Sequence, residues 1–316
     1  MNCLCCGRQL KNVDEEKCGW HNSCIRKFFG TKVLPNIEID DESIEKMVNE
    51  STGKGLTVPG VQKKLSLHLF SNKNAPRLTL VNYPTGYILK PQVREFTNLP
   101  ESEHLVMSMA EVCGIKTVPH GLLNMNGTYS YITRRVDRMF GKDSMKMLAM
   151  EDFCQLDMRL TADKYKGSYE RCGKIIAKYS SQIMLDLSEL FIRLVFCYIT
   201  GNSDMHLKNF SLIETEENSG KYILSPAYDL LPVNLLMPED KEEFALTFNG
   251  KKRKIHKNDF LAFADSLGIN KKTAQKIIND LVSKKEYLIL LCRESLLEDE
   301  MKNSFCEFIE ARCGNL

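Results

Sequence analysis

The residues best suited to chemistry lie in one polar stretch, from Gly201 to Ser211, and a carboxylate follows about twenty residues later. Asp204 can accept a proton from an attacking hydroxyl, and Asn209 offers an amide oxygen to Mg²⁺. Asp229 can supply a second hard oxygen ligand, one that bridges Mg²⁺ to phosphates. This division of labour predicts phosphoryl transfer. A solvated turn after a helix is the alternative, because Gly-Asn-Ser-Asp is also good turn chemistry.

An almost wholly apolar run, residues 185–199, precedes this stretch. A helix without a polar face is either buried in a protein or spans a membrane. Asp186, Glu189 and Arg193 interrupt the run, so no uncharged segment reaches the ~20 residues that a bilayer needs. The pattern therefore predicts the central helix of a helical lobe, on which the polar loop is held rigidly.

Length and composition limit the other choices. The chain has 316 residues and a formal net charge of +2, which predicts one large or two ordinary domains and no global attraction to nucleic acid. No secretory leader and no membrane span are predicted, and 12 cysteines then indicate reduced thiols in a cytoplasm. We therefore expect a cytoplasmic protein that does not enter a membrane and does not bind DNA directly.

A cysteine-rich segment opens the chain. Two pairs with metal-ligand spacing predict a tetrahedral Zn²⁺ site with the ligands Cys3, Cys6, His21 and Cys24. Cys5 or Cys18 could replace one of these ligands, and free cysteines beside a stray histidine are the alternative. Four protein ligands leave no open position, so the predicted role of the zinc ion is structural.

Two further stretches predict contacts to phosphate. A glycine-rich loop, residues 51–64, would let backbone N–H groups approach phosphate, while Lys63 and Lys64 add charge. Lys90 lies near the end of a predicted strand, and Glu103 follows in the first turn of a predicted helix. A strand lysine and a helix glutamate together hold a lysine on nucleotide phosphates in kinases. The alternatives are a hairpin turn, an edge lysine and an acidic helix N-terminus.

Hydrophobic spacing and capping residues predict several other helices. The predicted ranges are residues 35–49, 101–113, 259–267, 271–284 (with Asn270 as N-cap) and 296–312.

The order of these pieces resembles the HipA family of serine/threonine kinases, the toxins of bacterial toxin–antitoxin modules. The resemblance runs from Gly53 to the C-terminus. It rests on seven motifs in the same order, namely residues 58–64, 88–90, 103–104, 133–138, 151–155, 201–210 and 228–229. The chain is most similar to the short HipT form, in which a part of the long HipA proteins is a separate small protein, HipS. The cysteine-rich head is not part of the general family pattern.

The resemblance implies a role for each matching position. Asp204 is the implied catalytic base, Lys90 contacts the phosphates, and Asn209 and Asp229 hold Mg²⁺. The implied nucleotide contacts are Pro59, Gly60, Val61, Gln62, Lys63 and Lys64 in the loop, Arg134, Val136 and Asp137 at adenine and ribose, and His206, Lys208 and Tyr228. Thr57 matches the serine that family members autophosphorylate to silence themselves, and Pro59 replaces a second serine found in HipT-like loops.

The fold implied by the resemblance is a two-lobed, protein-kinase-like α+β fold. We expect a zinc-knuckle-like segment at residues 1–34 and a small β-rich lobe with the glycine-rich loop at residues 35–136. A helical lobe with the catalytic and metal-binding motifs is expected at residues 137–316.

The implied function is that of an ATP- and Mg²⁺-dependent serine/threonine kinase in a HipBA- or HipBST-like module of the bacterial cytoplasm. Its implied substrate is an aminoacyl-tRNA synthetase, whose phosphorylation inhibits translation and supports persistence. A HipB-like DNA-binding antitoxin or a HipS-like small protein is the implied partner. Two alternatives stay open: a small-molecule phosphotransferase like the aminoglycoside kinases, whose D-x-H-x-x-N loops are similar, and a non-catalytic zinc-containing binding module.

Overall fold

A computed structural model describes residues 1–38, 64–70, 75–79, 85–140 and 145–316. The chain divides into two compact units. The first comprises Met1–His104 and Val118–Val136, and the second comprises Leu105–Thr117 and Asp137–Leu316. The domain boundaries expected from the sequence, at residues 34 and 136, stay a prediction.

The first unit is built on a six-stranded sheet. Its strands are β1 (Asn36–Glu38), β2 (Leu65–Phe70), β3 (Arg77–Thr79), β4 (Tyr87–Pro91), β5 (His120–Met125) and β6 (Thr128–Arg134), in the spatial order β1-β3-β2-β4-β6-β5. Only β1 and β3 pair in parallel among these strands. Asn126 and Gly127 join β5 to β6 with φ of 53° and 89°, the left-handed pair that a tight hairpin requires.

The cysteine-rich segment packs against β5 within this unit. It forms the short helices α1 (Val13–Cys18) and α2 (Asn22–Phe29). The Leu122 N–H donates to the Leu4 carbonyl at 2.8 Å, and the buried Trp20 indole N–H donates to the Leu122 carbonyl at 2.8 Å. A Cβ at Gly121 would lie 2.7 Å from the Trp20 ring, so only glycine permits this approach. The segment therefore covers a strand that would otherwise end the sheet with unpaired backbone groups.

The second unit is mainly helical. Helix α3 (Leu99–Val112) begins in the first unit and ends in the second. The other helices are α4 (Phe153–Leu156), α5 (Tyr169–Tyr179), α6 (Ile183–Thr200), α7 (Val233–Leu236), α8 (Lys257–Ser266), α9 (Lys271–Val282), α10 (Lys285–Arg293) and α11 (Asp299–Gly314). Two small antiparallel sheets join β7 (Arg138–Phe140) to β8 (Met145–Met147), and β9 (Met150–Asp152) and β11 (Tyr222–Leu224) to the central strand β10 (Ser211–Glu214).

Helix α6 is the predicted central helix. Its residues from Leu194 to Thr200 are all buried, and Gly201 ends it in the left-handed region with φ of 69°. A Cβ at Gly201 would also lie 2.8 Å from the Phe308 ring, so glycine is required here for both conformation and space. Within the described ranges, no helix combines the length and the apolar character needed to cross a membrane.

Most of the predicted helices are close to those observed. The ranges 101–113 and 271–284 correspond to α3 and α9, and the Asn270 side chain accepts the Thr273 N–H as an N-cap does. The prediction of a helix from residue 35 is wrong for Asn36–Glu38, which pair with β3, and residues 39–49 lie outside the described part of the chain. A stretch of three residues is too short for hydrophobic spacing to distinguish a strand from a helix.

Candidate catalytic site

The loop after α6 is a polar turn whose shape is fixed by its own side chains. Asn202 is buried, and its Oδ1 accepts the Asp204 N–H at 3.3 Å. Leu207–Asn209 form a short 3₁₀ turn before β10 begins at Ser211. The stretch is therefore a turn, as its residue types indicate, and the turn leaves the Asp204 side chain half-exposed. A turn and a catalytic role are thus compatible here.

Asp204 and Asn209 are joined directly. The Asn209 amide group donates to the Asp204 carbonyl oxygen at 2.9 Å. This bond uses the NH₂ side of a buried amide and orients its oxygen away from that carbonyl. The five-residue spacing therefore produces a half-exposed carboxylate and, beside it, an amide oxygen of the kind that Mg²⁺ prefers.

The Asp229 segment is attached to the same loop through its neighbour. The Tyr228 hydroxyl donates to the Lys208 carbonyl at 3.1 Å and shares a 2.6 Å hydrogen bond with the Ser211 hydroxyl. Burial raises the pKa of Tyr228, and the nearby carboxylates of Asp152 and Asp229 raise it further, so the hydroxyl stays protonated. Asp229 itself has φ of 60°, in the left-handed region that residues other than glycine adopt at an energetic cost.

Two buried charges on α6 position the backbone that leads to Asp229. One oxygen of Asp186 accepts the Leu224 N–H at 2.8 Å, and the Arg193 guanidinium donates to the Ser225 carbonyl at 2.7 Å. The side chains of Asp186 and Arg193 are almost fully buried, at 3% and 2% exposure. In the sequence these two residues look only like interruptions of an apolar run. Charged residues in an otherwise apolar helix are rarely buried without a partner, and that signal could have identified them.

The other predicted residues of this loop have partners in the second unit. The Lys208 ammonium lies 2.6 Å from an Asp152 carboxylate oxygen. The His206 ring is buried and meets the Tyr165 ring edge-on, with 5.0 Å between the centroids. The Tyr165 hydroxyl donates to Asp204 Oδ1 at 2.8 Å. Tyr165 was not predicted from the sequence, where nothing in its local pattern distinguishes it.

Lys90 and Glu103 form a buried ion pair in the first unit. The Lys90 ammonium lies 2.5 Å from Glu103 Oε1, and their side chains are 4% and 0% exposed. The same ammonium lies 5.2 Å from the centre of the Tyr131 ring, within the range of a cation–π interaction. The predicted pairing of a strand lysine with a helix glutamate is therefore present, and Lys90 is not a solvated edge lysine.

The remaining predicted nucleotide contacts are spread over the two units. Arg134 ends β6 and donates its N–H to the Pro119 carbonyl at 3.0 Å, and Val136 is half-buried. Asp137 forms an ion pair with Arg138, and Lys64 is exposed just before β2. The loop residues Thr57, Pro59, Gly60, Val61, Gln62 and Lys63 lie outside the described residues.

The cysteine-rich segment brings its four predicted ligands together. The ligand atoms of Cys3, Cys6, His21 and Cys24 all lie within 4.8 Å of one another. Tetrahedral bonds of ~2.3 Å would place such atoms about 3.8 Å apart, so a contraction of about 1 Å would complete the site. Cys5 and Cys18 are not part of this group, and their thiols donate to the carbonyls of His120 and Trp20.

The surroundings of this cluster suit a metal ion. His21 Nε2 lies 3.0 Å from the Gln9 carbonyl, which fixes the ring so that Nδ1 faces the Cys6 sulfur at 3.4 Å. Burial raises the pKa of the Cys24 thiol to about 12. At Cys6 burial acts in the same direction, but hydrogen bonds with Arg8, Cys24 and His21 together outweigh it and lower the pKa to about 7. Metal binding would displace the protons that remain.

Comparison with known proteins connects this geometry to one family. A curated relative from Haemophilus influenzae, named "Putative kinase", is 28% identical over 275 residues, which cover 77% of each chain. HipA of Shewanella oneidensis MR-1, solved with HipB and operator DNA, has a TM-score of 0.72 at 20% identity, over 87% of this chain and 70% of that one. The Helicobacter pylori proinflammatory kinase CtkA has a TM-score of 0.53 at 13% identity, over 78% of this chain and 90% of that one.

These likenesses confirm the predicted two-lobed, kinase-like α+β fold. The model of the HipA-like C-terminal domain matches residues 56–287, from before β2 to within α10. The match includes the polar loop after α6 and Asp229, and it leaves the cysteine-rich segment outside. Because it spans well over half of the sequence, the chain belongs to the family of the HipA-like C-terminal domain, as the order of its motifs predicted.

Proposed function

We propose that this protein is an ATP- and Mg²⁺-dependent serine/threonine protein kinase. The observation that carries the proposal is the hydrogen bond from the Asn209 amide group to the Asp204 carbonyl oxygen. This bond places a half-exposed carboxylate beside an amide oxygen that can bind Mg²⁺. The buried ion pair of Lys90 with Glu103 supports it, since kinases hold their phosphate-binding lysine in this way. The names of the curated relatives agree with this chemistry.

In the proposed reaction, Asp204 accepts the proton of an acceptor hydroxyl. The acceptor oxygen forms a bond to the γ-phosphorus of ATP, and the bond from that phosphorus to the oxygen shared with the β-phosphate breaks, which releases ADP. Asn209 and Asp229 would hold Mg²⁺, which spreads the negative charge of the phosphates. Lys90 would contact the phosphates, with its direction fixed by Glu103.

We propose further roles for residues around the nucleotide, and a partner and a substrate for the protein. Arg134, Val136, Asp137, His206 and Lys208 would bind the nucleoside and phosphates, together with the loop from Pro59 to Lys64. HipA of Shewanella oneidensis was solved with HipB and operator DNA, and this supports a HipB-like antitoxin as partner, with a HipS-like protein as the other candidate. We further propose an aminoacyl-tRNA synthetase as substrate and Thr57 as the site of autophosphorylation.

Replacing the proposed base tests the central assignment. Asp204→Asn keeps the size of the side chain and removes the base, which typically costs ~10²–10⁴-fold in rate. We expect that loss in the transfer of labelled phosphate from Mg·ATP, with relief of growth arrest on overexpression. Asp265→Asn, on the exposed face of α8, makes the same chemical change and should retain the wild-type rate. An Asp204→Asn variant of normal activity would refute the assignment, and label in a metabolite would favour a small-molecule phosphotransferase.

We also propose that Cys3, Cys6, His21 and Cys24 hold one structural zinc ion. The support is the proximity of the four ligand atoms and the orientation of His21 by the Gln9 carbonyl. Emission spectroscopy of protein purified without chelator should find about one zinc per chain, and Cys24→Ser should lower that content. Cys292→Ser is a suitable control, because Cys292 is also buried but lies on α10. Absence of zinc from the wild-type protein would remove this proposal.

A further inference from the structure

A short segment before and within the start of α5 is bonded to the catalytic loop at three points. These bonds run from the Leu207 N–H to the Lys164 carbonyl (3.1 Å), from the Tyr165 hydroxyl to Asp204 Oδ1 (2.8 Å) and from the Tyr169 hydroxyl to the Met205 carbonyl (3.0 Å). Two of the three contacts go to backbone groups and can only hold the loop in place. The contact from Tyr165 is different, because it reaches the carboxylate assigned as the base.

The segment is itself anchored on both sides. On one side, the buried carboxylate of Asp157 binds the guanidinium groups of Arg159 and Arg171, and Arg159 donates to the Lys166 carbonyl at 2.8 Å. On the other side, the Thr247 N–H donates to the Gly167 carbonyl at 3.2 Å. The backbone on both sides of Tyr165 is therefore held in place, and its ring packs edge-on against the buried His206 ring, with 5.0 Å between the centroids.

The chemistry of this contact is that of a hydroxyl fixing a carboxylate. Rotation of a carboxylate about its last bond is only weakly restricted, so its oxygens need external partners to hold one orientation. A neutral hydroxyl that donates to a charged oxygen makes one of the stronger hydrogen bonds in proteins. Burial and the negative charge of Asp204 raise the pKa of Tyr165, which keeps its hydroxyl a donor.

We infer that Tyr165 is a positioning residue for the base. By holding Oδ1, it turns Oδ2 of Asp204 toward the acceptor hydroxyl, an inference that rests on the proposed kinase function. The competing explanation is that the Tyr165 hydroxyl occupies the acceptor position and blocks it. The packing of the Tyr165 ring on the buried His206 ring, together with the anchored backbone, argues against such a gate, since the side chain of a gate has to move in each turnover.

The test is Tyr165→Phe, which removes only the hydroxyl. Single-turnover consumption of Mg·ATP should slow about 10- to 100-fold, the range that corresponds to one hydrogen bond to a charged group. The KM for ATP should stay within about twofold, because the nucleotide does not depend on this contact. Tyr287→Phe is the matched control, since that ring is 50% exposed on α10 and the variant should keep the wild-type rate.

A double-mutant cycle separates positioning from general support of the fold. In an Asp204→Asn background the charged partner is gone, so Tyr165→Phe should slow the residual reaction by less than about twofold. An equal loss in both backgrounds would show a merely structural role and overturn the inference. A faster reaction in Tyr165→Phe would establish the gate instead, and an unchanged rate would leave Tyr165 without a role. If Asp204→Asn alone retained full activity, Asp204 would not be the catalytic base and the proposed function would be refuted, a result distinct from all of these.

Discussion

Variants of the Lys90–Glu103 ion pair should distinguish its effect on stability from its effect on activity. Both side chains are almost fully buried. Removing one partner of a buried pair leaves an uncompensated charge and typically costs ~3–5 kcal/mol, whereas replacing both partners by apolar residues of similar volume is often neutral or stabilising. Glu103→Ala should therefore lower the free energy of unfolding of the first unit by about 3–5 kcal/mol. The double variant Lys90→Met/Glu103→Leu should recover most of that loss.

The chain carries its own reporter for this measurement. Trp20 is the single tryptophan of the sequence, is fully buried and belongs to the first unit, as do Lys90 and Glu103. Urea unfolding followed by tryptophan fluorescence therefore reports on that unit alone.

The activity of the double variant decides what the pair is for. If Lys90 contacts nucleotide phosphates, Lys90→Met/Glu103→Leu should be stable yet should bind Mg·ATP weakly and turn it over slowly. A double variant that is both stable and active would show that the pair only supports the fold. A cost below about 1 kcal/mol in Glu103→Ala would refute the reasoning from burial itself.

Three other changes have defined outcomes. Gly121→Ala should destabilise the first unit by ~1–3 kcal/mol and shift Trp20 fluorescence, because the new Cβ would lie 2.7 Å from the indole ring. Asp186→Ala should cost about 3 kcal/mol in urea unfolding followed by circular dichroism, since it leaves the buried Leu224 N–H without its acceptor. Asp229→Gly and Asp229→Ala should both lose activity, but the glycine variant should be more stable by ~1 kcal/mol, because glycine adopts φ of 60° without strain. Equal stability of these two variants would contradict the strain argument.

Some of the candidate site could be predicted because its logic is local. The spacing of Asp204 and Asn209 places both on one turn, and the predicted loop has that turn. In each of the pairs Cys3-x-x-Cys6 and His21-x-x-Cys24 only two residues separate the two ligands, and the four ligand atoms do lie together. The pairing of Lys90 with Glu103 could be predicted because a strand lysine followed by a glutamate in the first turn of a helix is the arrangement found in kinases, and the two side chains do form an ion pair.

Other features depended on contacts that no spacing encodes. Asp186 and Arg193 look in the sequence like breaks in an apolar helix, but their role is set by Leu224 and Ser225, more than thirty residues away. The sequence also could not decide which cysteines join His21 in the predicted zinc site, since Cys5 and Cys18 have equally suitable side chains. Their sulfurs face backbone carbonyls, and this direction follows from the packing of the segment on β5.

The sequence alone determined the family and the class of fold, because motif order and short-range spacing are properties of the covalent chain. The chemistry expected of the loop from Gly201 to Ser211 stays a prediction. Only the tertiary structure decided that Tyr165 bonds to Asp204, 39 residues along the chain, and that Trp20 closes on Leu122, 102 residues along. Contacts between residues so far apart in the sequence form when packing in the folded protein offsets the entropy lost on closing a long loop. That balance is a property of the whole fold.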